Sequence, residues 1–532
     1  MSGRSRARRI MVLDFETDPY VRGGAPVAPF VWGLFDGATF EHRWDSENCV
    51  RSLVDRIADE HAIVYAHGGG QFDFLFLLEH LSAEVMVING RIAEARIGKA
   101  TLRDSMLILP RPLDEIMGPL DFDLSRMRPG VRNQHRRSIV SYLEAHCRGL
   151  FDAVARFHAL FGRKLTMTSA SISELRRSIE RSERRDSAVT LQTLSLEQDA
   201  ALRPYYIGGR VQVLEPGVIE EGFRYFDCNS MFPSVMVKYE HPTGRVSMPA
   251  RTLEESDFAM IEATAQGCFP WRSDDGRLVF PHDRRVYRVT GHELRTAMRL
   301  GLVNVHQVMQ AIVFPVRRVF DQFVHHFSGL RQEAARAGDV ALSTFYKDVM
   351  NRAYGRFALN PDGILRWLVL PNGEAPNEDG FEPRFAGDRV TFWAKPAEPA
   401  ERRRSIGNVA TAASITGAAR AELMLAMHAA ERPIYCDTDA LICRDLDRPI
   451  GPSIGQWKVE AEADRVAIAG KKLYAMFRGG EVVKLACRGA RLSGAQIERV
   501  ARGEVQWWYA SAPSISIAGV QTTMKRQVRA TF

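Results

Sequence analysis

Residues 434–442 read IYCDTDALI. Two apolar runs flank Asp437-Thr438-Asp439, a pattern that predicts two β-strands joined by a tight hairpin with the acids at its apex. Two residues apart on extended chain, both carboxylates face the same way. Burying such a pair uncompensated is costly, so the apex calls for a metal ion or a cationic partner. Taken alone, the segment also fits a solvated Asp-rich turn.

Three other stretches belong with it. Residues 225–234, YFDCNSMFPS, bring an apolar approach to Asp227, followed by Ser230, Met231, Phe232 and Pro233. Residues 347–355, KDVMNRAYG, space Lys347, Asn351 and Tyr354 at i, i+4 and i+7, one stripe of a helix. A half-buried amphipathic helix would show the same stripe. The chain, however, holds ten lysines against 61 arginines, and a lysine kept here suits a compact point charge on a phosphate. Lys472-Leu473-Tyr474 closes the series.

A second acidic constellation lies near the N-terminus. Residues 9–16, RIMVLDFE, predict a buried strand ending in Asp14 and Glu16, and residues 62–66, AIVYA, a second strand. In AHGGGQFDFLFL, Asp73 is expected to open an apolar helix; the glycines are no phosphate loop, since no Gly-Lys-Ser/Thr follows. Tyr142 and His146 in SYLEAHCRGLFDAV share a helix face.

In this order the motifs resemble those of the family B DNA polymerases. Asp227 through Pro233, then Lys347 to Gly355, then Tyr435-x-Asp437-Thr438-Asp439, then Lys472-Leu473-Tyr474 look like that family's palm and fingers. Tyr206-Ile207-Gly208-Gly209 is similar to its Tyr-x-Gly-Gly element between exonuclease and palm. The N-terminal acids resemble its 3′–5′ exonuclease motifs: Asp-x-Glu, an Asn-containing segment ending in Phe-Asp, and Tyr-x-x-x-Asp. Asp14, Glu16 and Asp73 carry over, but the fourth carboxylate's place is taken by His146, and glycines 68–70 stand where the Asn is expected. Asp152 is turned to another helix face. On the polymerase side Phe232 replaces a Tyr, Ala440 a Ser and Arg352 a Ser, none of them a group the chemistry needs.

The resemblance implies an α/β and α+β multidomain fold, a ribonuclease-H-like 3′–5′ exonuclease domain followed by a right-hand palm, fingers and thumb. The expected boundaries are 1–190 for the exonuclease-like domain, with about nine disordered leading residues, 191–250 and 407–485 for the palm, and 316–358 for the fingers. Insertions are expected at 251–315, of the type that docks a terminal protein, and at 359–406, a hairpin, with the thumb at 486–532. It also implies two-metal nucleotidyl transfer with Mg2+, or Mn2+, two ions at the polymerase site. Asp227 and Asp439 would be the ligands, with Asp437 in support and Lys347 on the phosphates. Ser230, Met231, Phe232, Asn351 and Tyr354 would bind the nucleotide, Phe232 leaving no room for a 2′-hydroxyl, and Arg331 or Arg336 would reach the triphosphate. Tyr206, Gly208, Gly209, Lys472 and Tyr474 would contact DNA, while Asp14, Glu16 and Asp73 would be metal ligands of an exonuclease site left incomplete at His146. Length and spacings look most like the protein-primed branch, which starts from a terminal protein's hydroxyl. The alternative is primer extension, or primer-independent initiation, without that partner.

Composition agrees with such a reading. The net charge of +7 permits a nucleic-acid partner without demanding one. No apolar run has the roughly 18 residues of a membrane helix. Seven scattered cysteines without C-x-x-C argue against a disulfide scaffold or zinc site. A cytoplasmic monomer acting on template, primer and dNTPs is expected. A stand-alone nuclease would keep all four exonuclease acids, and a non-catalytic DNA-binding protein would have no use for Asp227, Asp437, Asp439 and Lys347 together.

Overall fold

Met11, Val12, Leu13 and Phe15 are buried, as a strand covered on both faces requires, and around them a ten-stranded mixed sheet is built in the computed structural model. The structure describes residues 8–19, 27–183, 191–405, 407–490, 492–509, 514–516, 519–521 and 525–530. It divides into two units. The first holds residues through Ala170 together with Asp362–Arg402, the second Ser171–Pro361 together with Arg403–Tyr509. Most of the disordered leader expected at the N-terminus lies outside the described residues.

In the first unit, β1 (Arg9–Thr17), β2 (Pro29–Phe35), β3 (Phe40–Trp44), β4 (Ala62–Ala66), β5 (Glu84–Ile88), β6 (Arg91–Ile97) and β7 (Ala100–Asp104) lie in the order β3-β2-β1-β4-β7-β6-β5. β4 runs parallel to β1 and β7, and the other pairings are antiparallel. Helix Arg136–Phe161 packs on β1 and β2 through Ile139, Leu143, Cys147, Leu150 and Val154. Gly33 lets it close in, since a Cβ there would collide with Leu143.

Two sequence-based boundaries move. The hairpin expected as a separate insertion over 359–406 does form, but strands Leu365–Pro371, Val390–Pro396 and Glu382–Ala386 extend the first unit's sheet beyond β5. Val369, Val390 and Phe392 join the core that contains Val85 and Leu102, so the segment is held by burial rather than projecting freely. The division expected near residue 190 falls between Ala170 and Ser171. Ile172, Leu175 and Ile179 give helix Met167–Glu183 a buried stripe that the charge-dense stretch 176–186 conceals.

The second unit centres on an antiparallel sheet in the order Trp457–Ala463, Phe223–Cys228, Ala440–Cys443, Tyr435–Asp437, Val211–Val213. Residues 251–315 contribute strands Phe258–Ala265, Arg284–Thr290 and Val303–Val313, with helix Gly291–Arg299 packed against them. Helices Asp321–Arg336 and Val340–Arg352 form a pair, broken at Gly338, whose φ is +74°, and capped by Asp339 on the Leu342 N–H. Strands Arg465–Gly470, Leu473–Arg478 and Glu481–Cys487 form a further sheet under helix Gly494–Ala501. Among the described residues no helix is long and apolar enough to cross a membrane.

Helix Val409–Ala429 is buried almost all round, as its small residues allow. Its Ser414 hydroxyl lies 2.9 Å from Nδ1 of His241 and 3.1 Å from Nε2 of His292. His241 Nε2 lies 3.0 Å from the Val235 carbonyl and must donate to it. Burial favours the neutral form of both rings, in which His241 Nδ1 accepts from Ser414, whose oxygen in turn accepts from His292 Nε2. Burial pushes His241 down to about 4. His292 is also lowered, by burial and then by His241, Arg295 and Arg317. Below pH 6.5 the unfolded chain takes up protons that the folded one refuses, so this stability is complete above 6.5 and is lost as pH falls towards 4. Denaturant titrations between pH 7 and 4.5 are expected to show a loss on the order of 2 kcal/mol from His241, with a shallower slope in His241→Gln. Equal slopes would place the acid sensitivity elsewhere.

Candidate active site

Asp227 ends strand Phe223–Cys228 and pairs across it with Ala440 on one side and Lys458 on the other. Asp437 and Ala440 close a two-residue hairpin over Thr438 and Asp439. Thr438 has φ +60°, an outlier for a β-branched residue. Short backbone bonds hold it: its N–H donates to the Arg210 carbonyl at 2.6 Å, and the Asp439 carbonyl accepts from the Cys228 N–H at 2.7 Å. Gly209 is required beside it, because a Cβ there would collide with the Thr438 side chain. The Gly208 carbonyl accepts from Arg420 Nη1 at 2.8 Å, and the Ile207 carbonyl also accepts from Arg420. The Tyr206-x-Gly-Gly element thus braces the acidic turn.

The three acids meet different neighbours. Asp437 is held by Lys472 Nζ at 2.8 and 2.7 Å, and the Lys472 N–H donates to the Tyr435 hydroxyl at 2.9 Å. Asp227 Oδ1 lies 3.3 Å from Lys458 Nζ, which is 2.6 Å from Glu460; Lys484 Nζ is 2.6 Å from the other Glu460 oxygen. Asp439 has no ion-pair partner among the described residues. Burial, then Asp227 and Asp437, push its carboxyl up to about 6. Asp227 is raised too, by burial and Glu460, against Lys458. These hard oxygen donors in mutual repulsion fit a divalent cation.

Phe232 stacks on Tyr354 with centroids 4.3 Å apart and 22° between planes. Tyr354 follows helix Val340–Arg352 in a 3-10 segment, and its hydroxyl is raised by burial, Tyr206 and Asp439. Ser230 has φ +53° and caps the helix that carries Phe232. Lys347 is exposed and Asn351 half-buried. Met231 is 2% exposed, and Tyr474, 3% exposed, lies against Tyr225 and Tyr435. Strand Leu473–Arg478 is covered on both faces, Tyr474 and Met476 packing on one side and Ala475 and Phe477 on the other.

In the first unit, Asp14, Glu16 and His146 bring one ligand atom each within 4.8 Å of one another. His146 Nδ1 is 3.4 Å from Asp14 Oδ2. Asp73 is buried and accepts from the Phe15 N–H at 3.2 Å. It opens a single 3-10 turn, Asp73–Leu75, and not the expected helix. Burial, then Asp14, raise its carboxyl; burial, then Asp14 and Asp73, raise Glu16. Asp152 is exposed. Sequence reading missed Asp104, whose carboxylate takes the N–H groups of Gly68, Gly70 and Met106 and a 2.9 Å bond from Arg91.

Comparison with known proteins agrees with this geometry. A family described as DNA polymerase type B, organellar and viral, matches residues 136–433. The DNA-directed DNA polymerase of Enterobacteria phage PRD1 is 34% identical, with both chains covered over 100% of their length. The chain belongs to the type B DNA polymerases. A probable DNA polymerase of Agaricus bitorquis is 21% identical over 79% of this chain and 65% of its own. Phi29 DNA polymerase shares the fold at TM-score 0.76 and 16% identity, covering 98% of this chain and 100% of that one. Its ternary complex with primer-template DNA and incoming nucleotides gives 0.75 at 17% identity. This enzyme is therefore a DNA-directed DNA polymerase with an exonuclease fold and a palm, fingers and thumb.

Lys458, Glu460 and Lys484 are what motif reading of the polymerase left out. The scarcity of lysine was the available signal, since these two lysines stand within the palm's acid cluster. Removing the Lys458 charge is expected to raise the Asp227 carboxyl further. In Lys458→Met the acid limb of the pH–extension profile should move up by about one unit, roughly tenfold in rate on that limb. Lys458→Arg should restore it. An unmoved limb in Lys458→Met would make the lysine a packing residue.

Proposed function

We propose that the polymerase transfers nucleotides at Asp227 and Asp439 with two divalent ions, magnesium in the first instance. The observation that carries this reading is Asp439, a half-buried carboxylate beside Asp227 and Asp437 with no ion-pair partner among the described residues. Ions bound there supply a more acidic primer hydroxyl and charge neutralisation on the triphosphate. Lys472 restrains Asp437 in a supporting place and fixes the hairpin on which Asp439 stands. The Phe232–Tyr354 stack walls the sugar and nascent base pair. Lys347, on the exposed side of its helix, meets the phosphates, and Lys472 holds the primer strand. Template, primer and dNTPs are the substrates, by analogy with the phi29 polymerase complexes with primer-template DNA and incoming nucleotides.

The finer reading is protein-primed replication of a phage, viral or mobile-element genome. Its support is the sheet and helix to which residues 251–315 contribute, an added element of the kind that would dock a terminal protein. The exonuclease site is degenerate towards magnesium, because His146 stands beside Asp14 and Glu16 where a fourth carboxylate is needed.

Two measurements test these statements. Asp227→Asn and Asp439→Asn should each lower extension of a primed template by at least about a hundredfold. Retention of more than a few per cent of activity would refute the assignment. With magnesium and no dNTPs, wild-type digestion of a 3′-labelled single strand should be feeble and His146→Asp should increase it. Robust wild-type digestion abolished by Asp14→Ala would show an intact exonuclease.

A further inference from the structure

We propose that Asp14, Glu16 and His146 bind one divalent ion of the nitrogen-accepting kind, Mn2+, Co2+ or Zn2+, and not a pair of magnesium ions. This deepens, and rests on, the reading of the exonuclease site as degenerate. The three donors come from rigid elements, two from β1 and one from helix Arg136–Phe161. Their ligand atoms lie within 4.8 Å of one another. Around one tetrahedral ion with bonds of roughly 2.0–2.2 Å, ligand atoms stand about 3.4 Å apart. The donors therefore close by up to about 1.4 Å when they take up the ion.

A second observation points the same way. Glu16 is 8% exposed, and its Oε1 is fully buried without a hydrogen-bond partner. His146 Nε2 is likewise buried and unpartnered. A bare His146–Asp14 ion pair would explain their 3.4 Å contact, but it leaves the Glu16 oxygen unserved. An ion between the three donors serves it. The imidazole is also held for the task, with the Tyr142 ring centroid 4.2 Å away and Phe122 stacked behind Tyr142 at 4.3 Å.

The other nearby acids do not complete a second site. The Asp73 carboxylate is buried and engaged by the Phe15 N–H. Asp104 is committed to Arg91 and three backbone N–H groups, and Asp152 is exposed. Magnesium prefers an all-oxygen shell, whereas imidazole suits manganese through zinc.

The test uses the full chain carrying Asp227→Asn and Asp439→Asn, so that the palm contributes no ion site. Titration with Co2+ followed by visible absorption, and with Mn2+ followed by electron paramagnetic resonance, should each report one ion per chain. Magnesium should compete about a hundredfold more weakly. Adding His146→Ala should weaken binding by about 10–100-fold and change the cobalt spectrum. Adding His146→Asp should shift the preference towards magnesium. Absence of a bound ion, binding indifferent to His146→Ala, or equal affinity for magnesium would each overturn the proposal. No Mn2+ or Co2+ binding together with feeble magnesium-dependent digestion would sink this inference alone and leave the degenerate-site reading standing.

Discussion

The buried ion pair of Arg420 and Glu293 governs the second unit. Its guanidinium meets both carboxylate oxygens, at 2.7 and 2.8 Å, in surroundings almost closed to solvent. Glu293 also closes the capping box of helix Gly291–Arg299 with Thr290, against which Gly417 packs so tightly that a Cβ would collide. Arg420 Nη1 donates to the Ile207 and Gly208 carbonyls. One cation therefore ties the long helix, the 251–315 element and the Tyr206-x-Gly-Gly segment together. From Gly209 the constraint passes by contact to Thr438, and so to the two acids that flank it. Such a pair gives little net stability after desolvation, but losing one partner leaves a buried charge costing about 3–5 kcal/mol. Its contribution is to geometry.

Much of this was legible along the chain. Asp437 and Asp439 announce their hairpin by spacing alone, and Asp14 with Glu16 announce a strand end, because period-two patterns survive without tertiary information. The Phe232–Tyr354 stack was expected only as two aromatics near one substrate; their contact needed the fold. Lys458 and Glu460 were illegible for a different reason. They reach Asp227 through strand pairing, and a cross-strand neighbour has no fixed distance in sequence. For Met231 and Tyr474 a motif letter does not say which way the side chain points, and burial of both side chains became visible only in the fold.

The two acidic centres show how differently a fold can manage clustered carboxylates. In the palm, Lys458 on a neighbouring strand and Lys472 from a turn hold Asp227 and Asp437, while Asp439 has no ion-pair partner among the described residues. In the first unit no lysine is supplied. Asp73 is quietened by burial, Asp104 is consumed by backbone N–H groups, and a histidine occupies the place where a further acid would aggravate the repulsion. The chemistry available at each centre follows from which charges were neutralised by the protein itself.

The sheet of the first unit is closed at β5 by a strand that lies roughly 280 residues further along the chain. At about 5–20 residues per second of synthesis, β5 waits on the order of 15–55 s for its partner. Throughout that interval Val85 and Val87 belong to an open edge, the kind of template on which foreign strands pair. Glu84 on the same strand supplies a charge against such pairing. The nascent polymerase must also produce the finger helices and two of the five strands of its central palm sheet before its oldest domain is complete. Birth order and folding order run in opposite directions in this chain, and an N-terminal fragment cut before residue 365 would keep the unfinished edge permanently.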